Sequence, residues 1–446
     1  MSIKNSDLYI NPLHKFYCEF IELVKKALPD YYYYFNNYTI EKLIEVGKRT
    51  EYKEVFRQVE NISRFLNFIY DKDFVLIHYK PYYALDRERK CLSLRDDSFS
   101  QEENIWNLWG GLLKYARGMV FHRYSGAVVI NSYSKFFNLN ELEECSEKNI
   151  WSKIDRADLV EFSTKFDGST INGRWFNGKL VLSSSNMLDK HKCVQLNEAY
   201  RLVEKKDKKI ELMLKENHNL TFIFELISPK DSHIVNYGGA NDLILIGVKS
   251  TKSDYTFSYG RVAEIAEKYG VSHTYVHSTT FKEVLENRGE KKADEAEGFV
   301  ANIDGYRVKI KYEDYLRVQG IANRLTPNSV IRAIADNCVE ELKLNCTSKI
   351  DYIDYIMGKV EDYIYLKDKE IKKAYMRTMK LSARAEGGSE DRGNFMKAMA
   401  VAAPREICSY VIMLYNNDYS EERLIKSKSG RYIKYKDIME YLESKE

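Results

Sequence analysis

Lys165 lies between a predicted strand and a predicted turn, a position from which its side chain could project into a cleft. Lys165 follows a strand-like run at residues 159–162 and precedes Asp167 and Gly168, a pair that favours a turn. Burial or nearby cations can lower the pKa of a lysine at such a junction, and the free amine is then a nucleophile. The pattern Lys-x-Asp-Gly is weak alone, because a chain of this length contains it by chance roughly one time in ten. An ordinary surface turn is the alternative.

Two glutamates could bind a ligand or a metal. Glu225 lies inside the apolar run of residues 222–227, where a buried carboxylate is costly unless it is paired, hydrogen-bonded or bound to a ligand. Glu297 directly precedes a predicted strand at residues 298–302. For Glu225 the alternative is a strand with one face in solvent.

Two lysines share one face of the strand that follows. Asp304 and Gly305 form a hairpin turn signal between residues 298–302 and 306–311. Alternation along the second strand places Lys309 and Lys311 on one face, about 7 Å apart. They could clamp phosphate beside the Glu297 carboxylate. A solvated face with an ordinary cross-strand ion pair is the alternative.

Composition limits the class of protein. The chain has 446 residues, 44% apolar and 30% charged, with a net charge of only +3, so any nucleic-acid footprint must be local. Its seven cysteines include no CxxC pair, which favours reduced thiols over disulfides or a zinc site. No signal peptide and no membrane-spanning apolar run is found, which predicts a soluble, cytoplasmic protein. There is also no P-loop, so a bound nucleotide would need another phosphate site.

Three regions follow from the periodicity. The first hundred residues are predicted to be mainly helical, and strands are predicted from about residue 74 to residue 312, including 171–176, 179–183, 221–227 and 243–248. Helical periodicity returns after residue 314, with one helix over residues 350–366 and a second after it. We therefore expect an α+β chain: a helical N-terminal extension (1–70), a domain of antiparallel sheets with helices (71–318) and an all-α C-terminal domain (319–446).

A basic stripe follows the second of these C-terminal helices. Its members recur at intervals of four, four, three and four residues, which keeps them on one helical face. A solvated charged face is the alternative, and contact with nucleic-acid phosphates is the functional interpretation. The basic stripe comprises Lys369, Lys373, Arg377, Lys380 and Arg384.

The order of these motifs resembles the covalent nucleotidyltransferases, which include polynucleotide ligases and mRNA capping enzymes. Residues 116–121 (ARGMVF), 134–141 (SKFFNLNE) and 224–229 (FELISP) resemble the phage-type RNA ligase 1 family in particular. The resemblance is strong over residues 116–141 and 160–312. The helical C-terminal region also departs from the OB-fold that DNA ligases and capping enzymes carry after the lysine-rich strand.

The resemblance implies a nucleotidyltransferase domain in which Lys165 carries AMP. Asp167, Lys309 and Lys311 would take part in catalysis, and Mg²⁺, with Mn²⁺ as a substitute, would be held by Glu297 and Glu225. The basic stripe would contact RNA. The residues expected to contact ATP are Tyr79, Arg117, Lys135, Phe137, Lys165, Gly168, Glu225, Glu297, Lys309 and Lys311.

The implied reaction joins RNA ends that carry a 5′-phosphate and a 3′-hydroxyl, with broken tRNA as the expected substrate. A separate kinase and phosphatase would prepare the ends, and the ligase would act as a monomer. The alternatives are a DNA ligase, a capping guanylyltransferase or an inactive RNA-binding relative. One departure stands out: the family carries a lysine near Ser184, and here residues 182–186 contain none. Either a serine or asparagine replaces that phosphate contact, or the chain is shifted.

Overall fold

The structure, a computed structural model, divides into two compact units, Met1–Tyr315 and Leu316–Glu446. The first combines antiparallel sheets with helices and the second is helical, which confirms the predicted α+β class. Cys91 and Cys346 lie outside the described residues. The described residues are 9–81, 85, 88–89, 104–205, 208–231, 233–345, 349–385, 391–427 and 429–445.

Four helices open the first unit. In α1 (Pro12–Ala27), the Asn11 side chain accepts a hydrogen bond from the His14 N–H, and Pro12 occupies the first turn, where no N–H is needed. The apolar positions predicted for this helix, from Leu13 to Val24, are buried. The next three helices are α2 (Tyr31–Asn37), α3 (Ile40–Gly47) and α4 (Lys53–Ser63).

Strands begin earlier than the sequence predicted. β1 (Leu66–Asp71) pairs with β2 (Phe74–Tyr79) in an antiparallel hairpin; β2 begins where strands were predicted, and the predicted helical character was wrong for β1. Six residues are too few for periodicity to separate a short buried strand from a helix. The predicted boundary after residue 70 falls inside this hairpin, and the three-part division stays a prediction. The first sheet has the order β1-β2-β3-β4, with β3 (Arg117–His122) and β4 (Val128–Ile130).

Two further four-stranded antiparallel sheets carry the predicted motifs. Asp304 (φ 48°) adopts the left-handed conformation of a tight turn, which confirms the predicted hairpin there, and Asn177 (φ 47°) does the same between the predicted strands 171–176 and 179–183, which pair. The second sheet has the order β10-β5-β11-β12 and the third has the order β7-β6-β8-β9. The strands are β5 (Val160–Lys165), β6 (Ser169–Phe176), β7 (Lys179–Ser184), β8 (Leu220–Ile227), β9 (Asp242–Ser250), β10 (Val276–His277), β11 (Gly298–Ile303) and β12 (Tyr306–Lys311).

Helices cover these sheets and continue into the second unit. Further helices of the first unit are α5 (Leu108–Tyr115), α6 (Glu147–Ile154), α7 (Val194–Lys205), α8 (Lys209–Glu216), α9 (Tyr259–Tyr269) and α10 (Phe281–Glu286). Then follow α11 (Glu313–Arg324), α12 (Pro327–Ala335), α13 (Val339–Asn345), α14 (Ile350–Ser382), α15 (Arg392–Ala402), α16 (Cys408–Tyr415) and α17 (Tyr435–Glu443).

The long helix α14 corrects one prediction. The two helices expected from residue 350 onward form one helix of 33 residues, because no glycine or proline interrupts the chain near residue 366. Ile353, Ile356, Val360 and Ile371 face the core of the second unit. Over the described part of the chain, no helix is both long and apolar enough to cross a bilayer.

Candidate active site

Lys165 ends β5, and the sheet sets its neighbours. The register pairs Lys165 with Gly298 on β11 and Gly298 with Lys311 on β12, so a glycine separates two lysines in one cross-strand row. A Cβ at Gly298 would lie 2.2 Å from the Ile310 carbonyl oxygen, and its φ of 147° also disfavours other residues. Glycine at position 298 therefore allows the backbone of β12 to approach closely between the two lysines.

Glu297 joins these two lysines. Its Oε2 lies 2.7 Å from the Lys165 Nζ, and its Oε1 lies 2.8 Å from the Lys311 Nζ. The exposed fractions of the three side chains are 4% for Glu297, 17% for Lys165 and 8% for Lys311. One buried carboxylate therefore holds the side chains of both lysines.

Glu225 is buried in the centre of β8, between β6 and β9. The alternative of a solvent-facing strand was therefore wrong. The Thr170 hydroxyl donates to the Glu225 Oε2 at 3.4 Å. Burial raises the pKa of Glu225 to about 7; Lys165 opposes this shift and Glu297 adds to it. Near neutral pH this carboxyl can therefore either donate or accept a hydrogen bond.

Gly168 lets the turn after Lys165 approach Glu225. A Cβ at position 168 would lie 2.5 Å from the Leu226 carbonyl oxygen and 2.7 Å from the Glu225 Cγ. Such distances are too short for any side chain, so glycine is the residue that allows this contact. The turn and β8 therefore meet closely enough for Lys165, Glu225 and Glu297 to interact electrostatically.

Asp167 binds backbone amides that the sequence did not indicate. Its Oδ2 accepts hydrogen bonds from the N–H groups of Ile234 (2.7 Å) and Val235 (3.0 Å). The Asp167 N–H donates to the Tyr237 hydroxyl at 2.7 Å. A direct role for Asp167 in orienting the nucleophile stays a prediction. Sequence reasoning missed Tyr237, and no local pattern marks it, because it lies 70 residues from its partner.

Lys309 and Lys311 share one face of β12, as predicted, while Val308 and Ile310 are buried on the other. The solvated-face alternative was wrong, because Lys311 is also buried and its Nζ lies 5.0 Å from the centre of the buried Tyr315 ring. Tyr315 is a further residue that the sequence did not indicate, and it interacts with Asp167.

Cations converge on Lys309. Burial lowers the pKa of Lys309 to about 6, and Arg117, Lys165, Lys135 and Lys311 lower it further by repulsion. The Lys309 Nζ and the Arg117 guanidinium lie 4.9 Å and 5.6 Å from the centre of the Phe136 ring. A ligand with several negative charges would relieve this repulsion.

Aromatic rings surround Lys135. Its Nζ lies 4.6 Å from the centre of the Phe137 ring, 4.9 Å from that of Trp106 and 5.9 Å from that of Tyr79. Burial lowers the pKa of Lys135, and Arg117 acts in the same direction. The structure thus brings Tyr79, Lys135 and Phe137 together, as the resemblance implied, and adds Trp106.

A cavity of about 580 Å³ has Tyr79, Arg117 and Thr170 in its wall. Ser184, Ser185 and Asn186 also line it, so the segment without the expected lysine offers hydroxyl and amide groups there. Its complete lining is His78, Tyr79, Pro81, Ala116, Arg117, Ser169, Thr170, Ser184, Ser185, Asn186, Cys193 and Gln195.

Glu225 and Glu297 are the carboxylates available for a metal. Among the described residues, no group of three His, Cys, Asp or Glu side chains is arranged for a metal ion. Mg²⁺ commonly binds through one or two carboxylates together with waters and substrate phosphates. The donor set therefore fits Mg²⁺ bound together with a phosphate ligand better than an all-protein metal site.

The basic stripe lies in the second unit, whereas Lys165 and the residues described around it belong to the first. All five side chains are exposed, and within the described chain none forms an ion pair with an acid. Four of them lie on α14, and Arg384 lies just past its end at Ser382.

Comparisons with known proteins point to one family. Residues 115–316 match the family described as RNA ligase. A curated Thermovibrio ammonificans protein named "Putative RNA ligase" is 28% identical over 144 residues, which cover 32% of this chain and 36% of that protein.

Solved structures give a weaker likeness. A Naegleria gruberi RNA ligase with PPi matches with a TM-score of 0.34 and 17% identity, over 42% of this chain and 57% of that one. A mutant of the same ligase with ATP and Mn matches with a TM-score of 0.34 and 16% identity, over the same shares of the two chains. The matched segments span about a third of the curated relative and just over half of the solved chains.

Proposed function

Because residues 115–316 carry the sequence pattern of the phage-type RNA ligase family, we propose that this chain is an ATP-dependent RNA ligase that carries AMP on Lys165. The observation that supports this most is the pairing of Lys165 and Lys311 with one buried carboxylate, Glu297. A nucleophilic lysine, a second cation and a carboxylate then lie together where a triphosphate could bind. The enclosing residues Arg117, Lys135 and Lys309 add positive charge.

In the first step the Lys165 amine attacks the α-phosphorus of ATP. An N–P bond forms, the P–O bond to pyrophosphate breaks, and the proton that the amine loses passes to water. In the second step AMP moves from Lys165 to the 5′-phosphate of an RNA end. In the third a 3′-hydroxyl attacks that activated phosphate, the phosphodiester forms and AMP leaves.

Each step adds negative charge around a phosphorus atom, and fixed cations stabilise it. Lys309, Lys311, Arg117 and Lys135 supply that charge. Glu225 contacts the ribose, since a carboxyl with a pKa of about 7 can donate or accept there. Mg²⁺ held by Glu297 and Glu225, with Mn²⁺ as a substitute, would neutralise phosphate oxygens.

Two features extend this proposal to the substrate. Ser184 to Asn186 replace the lysine of the family with neutral hydrogen-bonding groups on the cavity wall. The basic stripe contacts the phosphates of RNA, which give affinity without reading sequence. We take the substrate to be RNA with a 5′-phosphate and a 3′-hydroxyl, such as a broken tRNA prepared by a separate kinase and phosphatase. The enzyme would act in the cytoplasm as a monomer.

The direct test is to incubate the protein with Mg²⁺ and ATP labelled at the α-phosphate, followed by a denaturing gel and mass spectrometry of the peptides. Label that stays on the protein as AMP on Lys165 supports the proposal. Absence of label, or AMP on another residue, overturns it. Label from GTP instead of ATP would favour a capping guanylyltransferase, and joining of DNA ends alone would favour a DNA ligase.

ATP binding should draw a proton onto Lys309. With a pKa of about 6, Lys309 is mostly neutral at pH 7, and a triphosphate beside it would raise that pKa. We expect uptake of roughly one proton per ATP at pH 7. Titration calorimetry in two buffers with different ionisation enthalpies measures it, and Lys309→Met should remove most of it. Lys179→Met, on an exposed hairpin, should leave the uptake unchanged. Equal uptake in both variants would contradict the prediction.

The same pKa also predicts how stability varies with pH. Between about pH 6 and the ordinary lysine value of 10.5, the unfolded chain binds a proton at Lys309 that the folded protein does not. The free energy of unfolding should therefore rise with pH across this window. Lys309→Met should flatten that rise, and the dependence on pH of chemical unfolding measures it.

The basic stripe should affect RNA but not AMP transfer. Changing Lys373 and Arg377 to alanine should weaken RNA binding by about tenfold at moderate salt, because each lost cation removes a phosphate contact. Self-adenylylation should stay within about twofold of wild type. Filter binding at several salt concentrations and the labelling assay measure the two effects. Lys436→Ala, an exposed lysine outside the basic stripe, is the control. Equal loss of RNA binding and labelling would indicate a folding defect.

A further inference from the structure

Asp231 and the segment of residues 233–237 hold the turn that follows Lys165 from both sides of Gly168. On one side Asp167 accepts from the Ile234 and Val235 N–H groups and donates its own N–H to the Tyr237 hydroxyl. On the other side the Ser169 hydroxyl donates to the Asp231 Oδ2 at 2.5 Å. The turn therefore depends for its shape on a segment far away in sequence.

That segment is itself fixed at both ends. The buried Glu198 carboxylate on α7 accepts from the Lys230 Nζ at 2.7 Å and from the Asn241 Nδ2 at 2.9 Å, just before and after the loop. The Lys230 hydrogen bond is the main cause that lowers the pKa of Glu198 to about 2. Asp231 also accepts from the Gln195 Nε2 at 3.0 Å, again from α7. Side chains of α7 therefore bind the chain at residues 230, 231 and 241, next to the groups that hold the turn.

Tyr237 is the residue whose side chain bonds the backbone of the turn. Its hydroxyl accepts the Asp167 N–H, so the hydroxyl hydrogen is free to donate elsewhere. Burial raises the pKa of Tyr237, and the charges of Asp167, Glu297 and Glu225 raise it further. The phenol therefore stays protonated and acts as a hydrogen-bonding group.

We propose that Tyr237 is a positioning residue for AMP transfer to Lys165. Its hydroxyl fixes the backbone at Asp167, two residues from the nucleophile, and so sets where the Lys165 amine lies relative to Glu297. The inference rests on the proposed function, since AMP transfer is the step it describes. Sealing of an RNA end that already carries AMP does not use the Lys165 amine, so Tyr237 should matter little there.

Tyr237→Phe tests this, because it removes the acceptor for the Asp167 N–H and keeps the ring. We expect self-adenylylation in a single turnover to slow about tenfold, since a buried donor loses its partner, with the KM for ATP within about twofold. Joining of pre-adenylylated RNA should stay within about twofold of wild type. Hydrogen–deuterium exchange at the Asp167 amide should quicken by tenfold or more. Tyr255→Phe is the matched control, because Tyr255 is exposed, and it should change none of these.

The outcomes separate the two proposals. Equal loss in adenylylation and in joining of pre-adenylylated RNA would show a general structural role and overturn the inference. Normal adenylylation by Tyr237→Phe would overturn it as well. A wild-type protein that takes no label overturns the proposed function. Even then, the hydrogen–deuterium exchange of the Asp167 amide still tests the inference. If this exchange is as slow in Tyr237→Phe as in wild type, the inference about Tyr237 is overturned.

Discussion

Lys165→Ala is expected to abolish covalent labelling by ATP and to reduce ATP-dependent RNA joining by more than about 10⁴-fold, the scale seen when a catalytic nucleophile is removed. Alanine has no amine to attack the α-phosphorus, and Lys311, the other lysine paired with Glu297, lies on β12 rather than at the end of β5. Joining of pre-adenylylated RNA should persist within about tenfold, because the attacking group in that step is the 3′-hydroxyl of RNA. The labelling gel and an RNA joining assay with both kinds of donor end measure these effects.

The matched control for this variant is Lys179→Ala, which removes an exposed lysine from the hairpin after β6. It should label and join like wild type. If Lys165→Ala still takes label, AMP is carried elsewhere and the assignment of the nucleophile is wrong. If it loses the joining of pre-adenylylated RNA as strongly as labelling, the substitution has disturbed the whole site.

Glu297→Gln is expected to slow labelling by at least about 100-fold and to raise the Mg²⁺ concentration needed for half-maximal rate. The amide keeps the size of the side chain but leaves Lys165 and Lys311 without their shared negative charge. Removing one partner of a buried ion pair should also lower the free energy of unfolding by about 3 kcal/mol. Labelling across a range of Mg²⁺ concentrations, well below the unfolding temperature, separates catalysis from stability.

The control is Glu290→Gln, because Glu290 is an exposed glutamate that also precedes β11. It should change neither the labelling rate nor the free energy of unfolding. Near-normal labelling of Glu297→Gln at low Mg²⁺ would show that Glu297 does not bind the metal. If Glu297→Gln lowers the free energy of unfolding but labels at the normal rate, Glu297 serves only to stabilise the fold through its ion pairs.

The chemistry-bearing residues could be predicted because their signals are local. Alternation along β12 separates Lys309 and Lys311 from the buried Val308 and Ile310, and an acid inside an apolar run marks Glu225. Motif order then supplied the resemblance, which the match over residues 115–316 supports.

The sequence could not predict the register between distant strands or the distances between the side chains of the site. Nothing local says that Gly298 sits between Lys165 and Lys311, because strand pairing is decided by contacts more than 130 residues apart in sequence. The partners of Asp167 lie about 70 residues away, and Trp106 joins the Lys135 cluster without any motif. The hairpin at residue 66 was missed because strands of six residues are too short for periodicity to identify.

The glycine in the lysine row has a consequence for rigidity. With no side chain at Gly298, the separation of the Lys165 and Lys311 backbones is set by two strand spacings, each about 4.8 Å, and by the hydrogen bonds between them. The backbones of Lys165 and Lys311 are therefore held by the hydrogen bonds of a paired sheet rather than by a loop. Heating should therefore separate the Lys165 and Lys311 backbones only when the pairing of β5, β11 and β12 opens.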